Sequence, residues 1–365
     1  MAAGSTFGEI FKVTTFGESH GRALGCVIDG CPAGLPLSEA DLIPFMARRK
    51  PGQSEYTTAR NEDDAPEILS GVFEGITTGT PISILIRNKD QHSKDYSDIA
   101  DIFRPGHADY TFEKKFGIRD YRGGGRSSGR ETAARVAAGA VASKLLNGYG
   151  IKACAYTKSI GPVNISRYDE NEMNSLYMPD HAAYEKASEY IKRLRSEGNS
   201  AGGIIECVIK GVPAGLGDPV FGKLDARLAL AVMSIGAVKG FEVGDGFEAA
   251  LSTGIDNNDA FIPAPDGGIM KATNHSGGIL GGISDGSDII FRCAVKPTAS
   301  ISMLQQTVDK SGRPEDIMIK GRHDPVIVPR AVAVVEAMAD LVIADALLAS
   351  LHDRSGNIKS IISEV

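Results

Sequence analysis

Ten residues near the N-terminus, CVIDGCPAGL from Cys26 to Leu35, recur as CVIKGVPAGL from Cys207 to Leu216, and eight of the ten are identical. Upstream, Glu18-Ser19-His20-Gly21 faces Asn199-Ser200-Ala201-Gly202 at the same offset of 181. A second pair follows in the same order, Ser70 to Lys89 against Gly277 to Lys296. Both members read Gly, two apolar residues, any residue, Gly-Ile, a hydroxyl residue, any residue, Gly. Each copy closes on an Ala-rich apolar segment, near Glu131 to Leu146 and near Pro329 to Leu348. Blocks matched in order, each followed by a similar helix, imply an internal duplication. The chain is thereby confined to one domain over 1–365, made of related halves at about 6–150 and 199–350 around a pseudo-twofold axis. Sites are expected where the halves meet. The polar stretch 164–199 lies outside the repeat and reads as a peripheral connection; a short-period solenoid is not supported.

The repeated blocks contain β-branched runs bounded by Gly and Pro, which predict strands at Cys26 to Ile28, Ile82 to Ile86, Ile204 to Ile209 and Ile289 to Val295. Helices are predicted at Ser38 to Arg49, Asp180 to Glu197, Leu224 to Ile235 and the two Ala-rich segments. Strands paired within each half, with helices between or against them, make an α+β sandwich.

Charge narrows the function. The chain carries a formal net charge of -7, yet Arg104 to Arg135 holds six Arg and two Lys against two Asp and two Glu. Gly123, Gly124 and Gly125 sit near its end, and Ser128 and Glu131 have capping-box spacing ahead of a helix. A glycine loop delivering backbone N–H groups to a helix N-terminus is an anion site. The acidic total argues against general nucleic-acid binding. Ala331 to Leu351 is apolar but broken by Glu336, Asp340 and Asp345, which excludes a membrane span. The N-terminal stretch lacks a signal-peptide pattern. Five cysteines, without paired metal spacing, read as reduced and mostly buried thiols of a cytoplasmic protein.

Several residues could carry chemistry. His20 stands between glycines, and the second copy keeps Ser200 and Gly202 but has Ala201, so the local fold does not require an imidazole. That favours proton transfer. His107 follows Arg104-Pro105-Gly106 inside the basic stretch and reads as a proton donor or acceptor beside an anion, while His92, His181, His275 and His352 lack such settings. Arg48, Arg49 and Lys50 end a helix, where the dipole favours cations, but three adjacent cations cannot share one face. Lys296-Pro297-Thr298-Ala299-Ser300 offers a cation and two hydroxyls at a turn, and Asp324 in Gly321-Arg322-His323-Asp324-Pro325 is either a helix cap or a site acid. Walker and dinucleotide fingerprints and zinc spacings are absent from the sequence. These residues describe a multi-arginine anion site with two proton-transfer histidines; the reaction stays open.

Three long strings carry a resemblance. FGESHGRALGCVIDGCPAGLPL, RPGHADYTFEKKFGIRDYRGGGRSSGRETAARVAAGA and GRHDPVIVPRAVAVVEAM resemble the signature regions of the chorismate synthase family, over about Thr6 to Ile343. The resemblance implies a homotetramer of β-α-β sandwich subunits, with helices between two antiparallel sheets. It implies the trans-1,4-elimination of phosphate from 5-enolpyruvylshikimate 3-phosphate to give chorismate, the last common step towards the aromatic amino acids, with reduced FMN as cofactor. It places His20 as proton donor to the leaving phosphate, His107 as the group that sets flavin protonation, and Asp324 as the acid beside the flavin. Substrate contacts fall on Ser19, Arg49, Arg104, Arg130 and Arg322. Flavin contacts fall on Arg126, Ser127, Ser128, Gly236, Ala237, Gly281, Lys296, Pro297, Thr298, Ala299, Ser300 and Arg322. The chain departs from the family pattern at Gly236, where many relatives have Asn, and at Glu55, where many have Arg and a nicotinamide or substrate contact would fall. Bifunctional relatives, which reduce their own flavin with NADPH, are longer, so this chain is expected to be monofunctional and to need a separate flavin reductase.

Overall fold

Leu24, Cys26 and Ile28 alternate along one strand and Ile82, Ile84 and Ile86 along the next, and all six are fully buried. A period of two puts each set on one face of a sheet. Their counterparts Ile205, Cys207 and Ile209, and Ile289, Phe291 and Cys293, are buried in the same alternation. The computed structural model describes residues 4–52, 63–89, 100–265, 267–319 and 324–357.

The chain begins with β1 (Thr6–Phe7), β2 (Lys12–Gly17), β3 (Ala23–Asp29), α1 (Glu39–Arg49), β4 (Pro66–Ile68), β5 (Val72–Phe73), β6 (Ile76–Thr77) and β7 (Ile82–Arg87), then α2 (Asp109–Phe116) and α3 (Thr132–Asn147). It continues with β8 (Lys152–Ile160), β9 (Val163–Asn164), α4 (His181–Ser196), β10 (Gly203–Lys210), α5 (Leu224–Met233) and β11 (Val238–Val243). Next come α6 (Gly254–Asn257), β12 (Phe261–Pro263), β13 (Ile269–Lys271), β14 (Ile279–Leu280), β15 (Ile283–Ser284), β16 (Ile289–Val295), β17 (Leu304–Val308), β18 (Pro314–Met318) and α7 (Val328–Ala349). One antiparallel sheet has the order β1-β2-β3-β7-β4 and a second β11-β16-β10-β8-β9. The fold is α+β. Strand β2, for which the sequence reading set no element, is the neighbour of β3.

The repeated blocks meet their neighbours in the same register. Cys26 pairs with Ile84 and Cys207 with Phe291; Ile28 pairs with Ile82 and Ile209 with Ile289. The shared hydroxyl residue does the same work in both copies. Thr77 Oγ1 donates to Pro32 O at 2.7 Å and accepts from Leu35 N at 2.9 Å. Ser284 Oγ donates to Pro213 O at 2.6 Å and accepts from Leu216 N at 2.9 Å. Each hydroxyl is buried and clasps its PAGL turn, which is why the pattern needs a hydroxyl there.

Helix α3 packs on β2, β3 and β7, helix α7 packs on β8 and β10, and the two helices pack on each other. Their Ala-rich composition follows from that contact. A Cβ on Gly139 would lie 2.4 Å from Ala337 Cβ, so the backbones meet where only glycine fits. The carboxylates that interrupt α7 are buried with it. Asp345 accepts from Ile10 N at 2.7 Å and Phe11 N at 2.8 Å, pairs with Arg227, and so ties the N-terminal segment to the core. The Glu336 carboxylate takes both Nη atoms of Arg48 and Ala155 N.

The 164–199 connection is docked. Ala183, Ala187, Ile191 and Leu194 of α4 are buried, as are Leu176 and Met178 ahead of it, the spacing of one helical face. Asp180 caps α4 through Ala183 N at 3.1 Å, and the Ser166 and Ala183 N–H groups hold its carboxyl well below the usual range. Five free cysteines are present, four of them buried, and burial pushes the Cys26 thiol up to about 12.

Candidate active site

The glycine loop covers His20. Gly123 lies in the left-handed region at φ 66°, and a Cβ there would stand 2.6 Å from His20 Nε2 and 3.2 Å from Ser19 Oγ. Any side chain would displace the imidazole, which is 8% exposed. A Cβ on Gly124 would lie 3.8 Å from Arg104 Nη2, so the same loop reaches both groups. The loop does not run straight into the helix. Two short 3₁₀ turns, Gly125–Ser127 and Gly129–Glu131, precede α3. Ser128 Oγ accepts from Arg130 N at 3.3 Å, whereas the Glu131 carboxylate pairs with Arg135 at 2.9 Å. The expected reciprocal capping box is therefore replaced by a one-sided serine cap. At α1 the acidic half of such a box forms, with Asp41 Oδ2 accepting from Ser38 N at 2.9 Å.

Three arginines and two carboxylates form a chain of ion pairs beside the glycine loop. Arg49 donates from Nε to Thr132 Oγ1 at 3.0 Å, from Nη1 to Asp64 Oδ2 at 3.2 Å and from Nη2 to Gly129 O at 2.6 Å. Arg130 pairs with the other Asp64 oxygen, and its Nε donates to Asn88 Oδ1 at 2.9 Å. Arg330 donates to Asp324 Oδ2 at 2.5 Å and to Arg49 O at 3.2 Å. Asp324 is thus an ion-pair partner at the start of α7, and the helix N-cap is Ile327. Burial, then Arg330, pulls the Arg49 guanidinium down from its usual value while Asp64 opposes them; a guanidinium paired in this way stays charged at neutral pH. Arg48, one residue earlier and about 100° around the helix, points instead to Glu336. Asp64, Asn88 and Arg330 had no signal in the sequence, because Asp64 meets Arg130, Asn88 meets Arg130, and Arg330 meets the Arg49 backbone across distant parts of the chain.

Arg104 is held by Asp109 in a fork, Nε to Oδ2 and Nη2 to Oδ1, both at 2.8 Å, with Arg119 on the same carboxylate at 3.1 Å. Burial works against the Asp109 charge, but the Arg104 hydrogen bonds hold its carboxyl below the usual range. His107 lies against the second half. Its Nδ1 is 2.9 Å from Pro105 O and its Nε2 2.8 Å from Ser300 Oγ. A carbonyl only accepts, so Nδ1 carries the hydrogen and Ser300 Oγ donates to Nε2. Burial, then Arg104, lowers the pKa and keeps the ring neutral near pH 7. Lys296 Nζ donates to Gly106 O at 2.8 Å, and Ala299 touches Gly106.

The other positions that the resemblance assigns to a flavin divide. Ala237, at φ 75°, accepts from Lys296 N at 2.9 Å just after the C-terminal end of α5. The preceding turn is held from the first half by Arg135, whose Nη1 donates to Ser234 Oγ at 2.6 Å. Thr298 O accepts from Ser200 Oγ at 2.7 Å. Arg126 is anchored on β2, donating to Gly17 O at 3.1 Å and Thr15 Oγ1 at 2.7 Å, and Ser127 Oγ donates back to Gly124 O. Gly281 turns the β14–β15 hairpin, whose Gly282 O accepts from Leu224 N at the opposite end of α5 from Ala237. Arg322, Glu55, His92 and His323 lie outside the described residues.

Comparison with known proteins gives one answer along the chain. The family model described as chorismate synthase matches residues 11–348. A chorismate synthase of Agathobacter rectalis is 64% identical over 360 residues, covering 98% of each chain. One from Archaeoglobus fulgidus is 57% identical, covering 94% of this chain and 97% of its own. A chorismate synthase crystal structure superposes with a TM-score of 0.75 at 33% identity, covering 98% of both chains. With Ser19, His20 and Arg104 gathered around one glycine loop, and a full-length match on either side of them, the chain belongs to the chorismate synthase family.

Proposed function

We propose that the chain is a chorismate synthase, a lyase that converts 5-enolpyruvylshikimate 3-phosphate to chorismate in aromatic amino-acid biosynthesis. The observation that carries the reading is the gathering of His20 and the Arg104 guanidinium at the glycine loop, with the Arg130 guanidinium tied to the His20 loop through Asn88, in a chain matched from 11 to 348. Phosphate and a ring hydrogen leave, a second ring double bond forms, and no net redox change occurs. The substrate carries two carboxylates and a phosphate, and Arg49, Arg104 and Arg130, with Ser19 and Arg322, are the groups assigned to them. His20 protonates the departing phosphate oxygen, so the leaving group need not depart with its full charge. Asp324, fixed by Arg330, is the carboxylate assigned to the ring proton.

The cofactor side fits a flavin in its donor set. Thr298 Oγ1 is buried with no hydrogen-bond partner among the described residues, and a Cβ built on Gly236 meets nothing within 4 Å. The cofactor is assigned to Gly236, Ala237 and Lys296 to Ser300, with Arg126, Ser127, Ser128, Gly281 and Arg322. Reduced FMN, when bound, supplies transient electron density that no side chain offers. His107, neutral and fixed by Pro105 and Ser300, is the proton-holding group at that wall.

Anaerobic incubation with dithionite-reduced FMN should release chorismate and phosphate in equal amounts. Oxidised FMN with NADPH should give none until a separate flavin reductase is added. No chorismate with reduced FMN, or equal turnover without it, overturns the assignment. The proposal includes a pseudo-twofold β-α-β sandwich, supported by the shared register and hydroxyl clasps, and a cytoplasmic location, supported by five free thiols. It also includes a homotetramer. Phe221 is 95% exposed, and Phe247, Leu251, Ile255, Phe261 and Ile269 stand out between β11 and β14, the kind of surface subunit contacts cover. Sedimentation as a monomer at assay concentration would remove that part.

A further inference from the structure

We propose that Asn88 is a positioning residue that fixes the proton-donor loop and the Arg130 guanidinium against each other; the inference rests on the functional reading above. Asn88 follows the last residue of β7 and is buried at 9% exposure. Its Nδ2 donates to Glu18 O at 3.1 Å and to Gly21 O at 2.9 Å, the carbonyls on either side of Ser19 and His20. Its Oδ1 accepts from Arg130 Nε at 2.9 Å, and its backbone N donates to Arg22 O at 3.1 Å. The amide can stand only one way round, because a flip would set its oxygen against two carbonyls and its NH₂ against a guanidinium. One side chain therefore spaces the loop that carries the general acid from the arginine that Asp64 holds on its other edge.

The second half supplies an internal control. The register that pairs β3 with β7 is kept between β10 and β16, and in it Val295 stands where Asn88 stands in the first half, just as Ala201 stands for His20. Val295 and Ala201 are both buried. Where the histidine is absent, the amide is absent too, and the strand pairing survives. The amide follows the chemistry and not the fold.

The test uses the full chain with reduced FMN. Asn88→Val adopts the residue that the second half tolerates and loses every side-chain hydrogen bond. It should fold with a near-parental melting temperature while kcat falls about a hundredfold, the scale of a 1 Å misplacement of reacting groups. Asn88→Asp keeps an acceptor for Arg130 but puts a carboxylate against Glu18 O and Gly21 O. KM should stay within about twofold of the parent while kcat falls as in the valine variant. A folded valine variant with parental kcat, or an aspartate variant whose loss lies in KM alone, overturns the proposal. If the valine variant does not fold, the KM and kcat split of Asn88→Asp decides alone. An inactive parent would overturn the functional reading instead.

Discussion

Replacement of His20 by alanine should lower kcat by about a thousandfold, within the 10²–10⁴ range of lost general acid catalysis, and leave stability almost unchanged. The second half already carries Ala201 in the equivalent place, buried at 3%, so the loop tolerates a methyl group. The guanidiniums keep their partners, since Arg104 rests on Asp109, and Arg130 on Asp64 and Asn88. Substrate affinity should therefore stay near the parental value, and the loss should appear in single-turnover release of phosphate. Thousandfold weaker substrate binding with an unchanged chemical step would place His20 in binding; parental activity would remove it from the mechanism.

The matched blocks were legible in the sequence because both copies preserve what their geometry requires. The hydroxyl of Thr77 and Ser284 clasps the PAGL turn, and alternating apolar residues face the helices. The two histidines and the arginine-rich stretch were legible for another reason: an imidazole missing from the second copy and a local charge excess are both visible one residue at a time. The groups that hold those residues were not legible. Asp64 links Arg49 to Arg130, Asn88 links Arg130 to the His20 loop, and Arg330 links Asp324 to the Arg49 backbone. Each link joins segments brought together only by the fold, and no local pattern announces such a partner. The Ser128–Glu131 spacing misled for a related reason: Arg135, one helical turn on, takes the carboxylate that the cap would have used.

Asp340→Asn should stabilise the protein increasingly as pH rises. Asp340 lies on α7 one turn beyond the Gly139–Ala337 contact, and neither of its carboxyl oxygens has a hydrogen-bond partner among the described residues. Burial, then the Glu336 carboxylate one turn away, raises its pKa well above the usual carboxylate value, and Ser143 on α3 and Arg48 on α1 pull the other way without reversing the shift. Below about pH 3.9 both folded and unfolded chains hold this proton, and the residue adds no pH dependence. Above that, the unfolded chain releases the proton and the folded chain keeps it, so this site lowers stability by about 1.4 kcal/mol per pH unit until the buried carboxyl itself ionises. An amide of the same shape has no proton to lose. Urea midpoints for parent and Asp340→Asn should lie close together near pH 4 and separate as pH rises, the variant being the more stable. Parallel midpoints at every pH would mean that the carboxyl is charged in the folded protein, with Ser143 and Arg48 holding a buried anion against burial and Glu336.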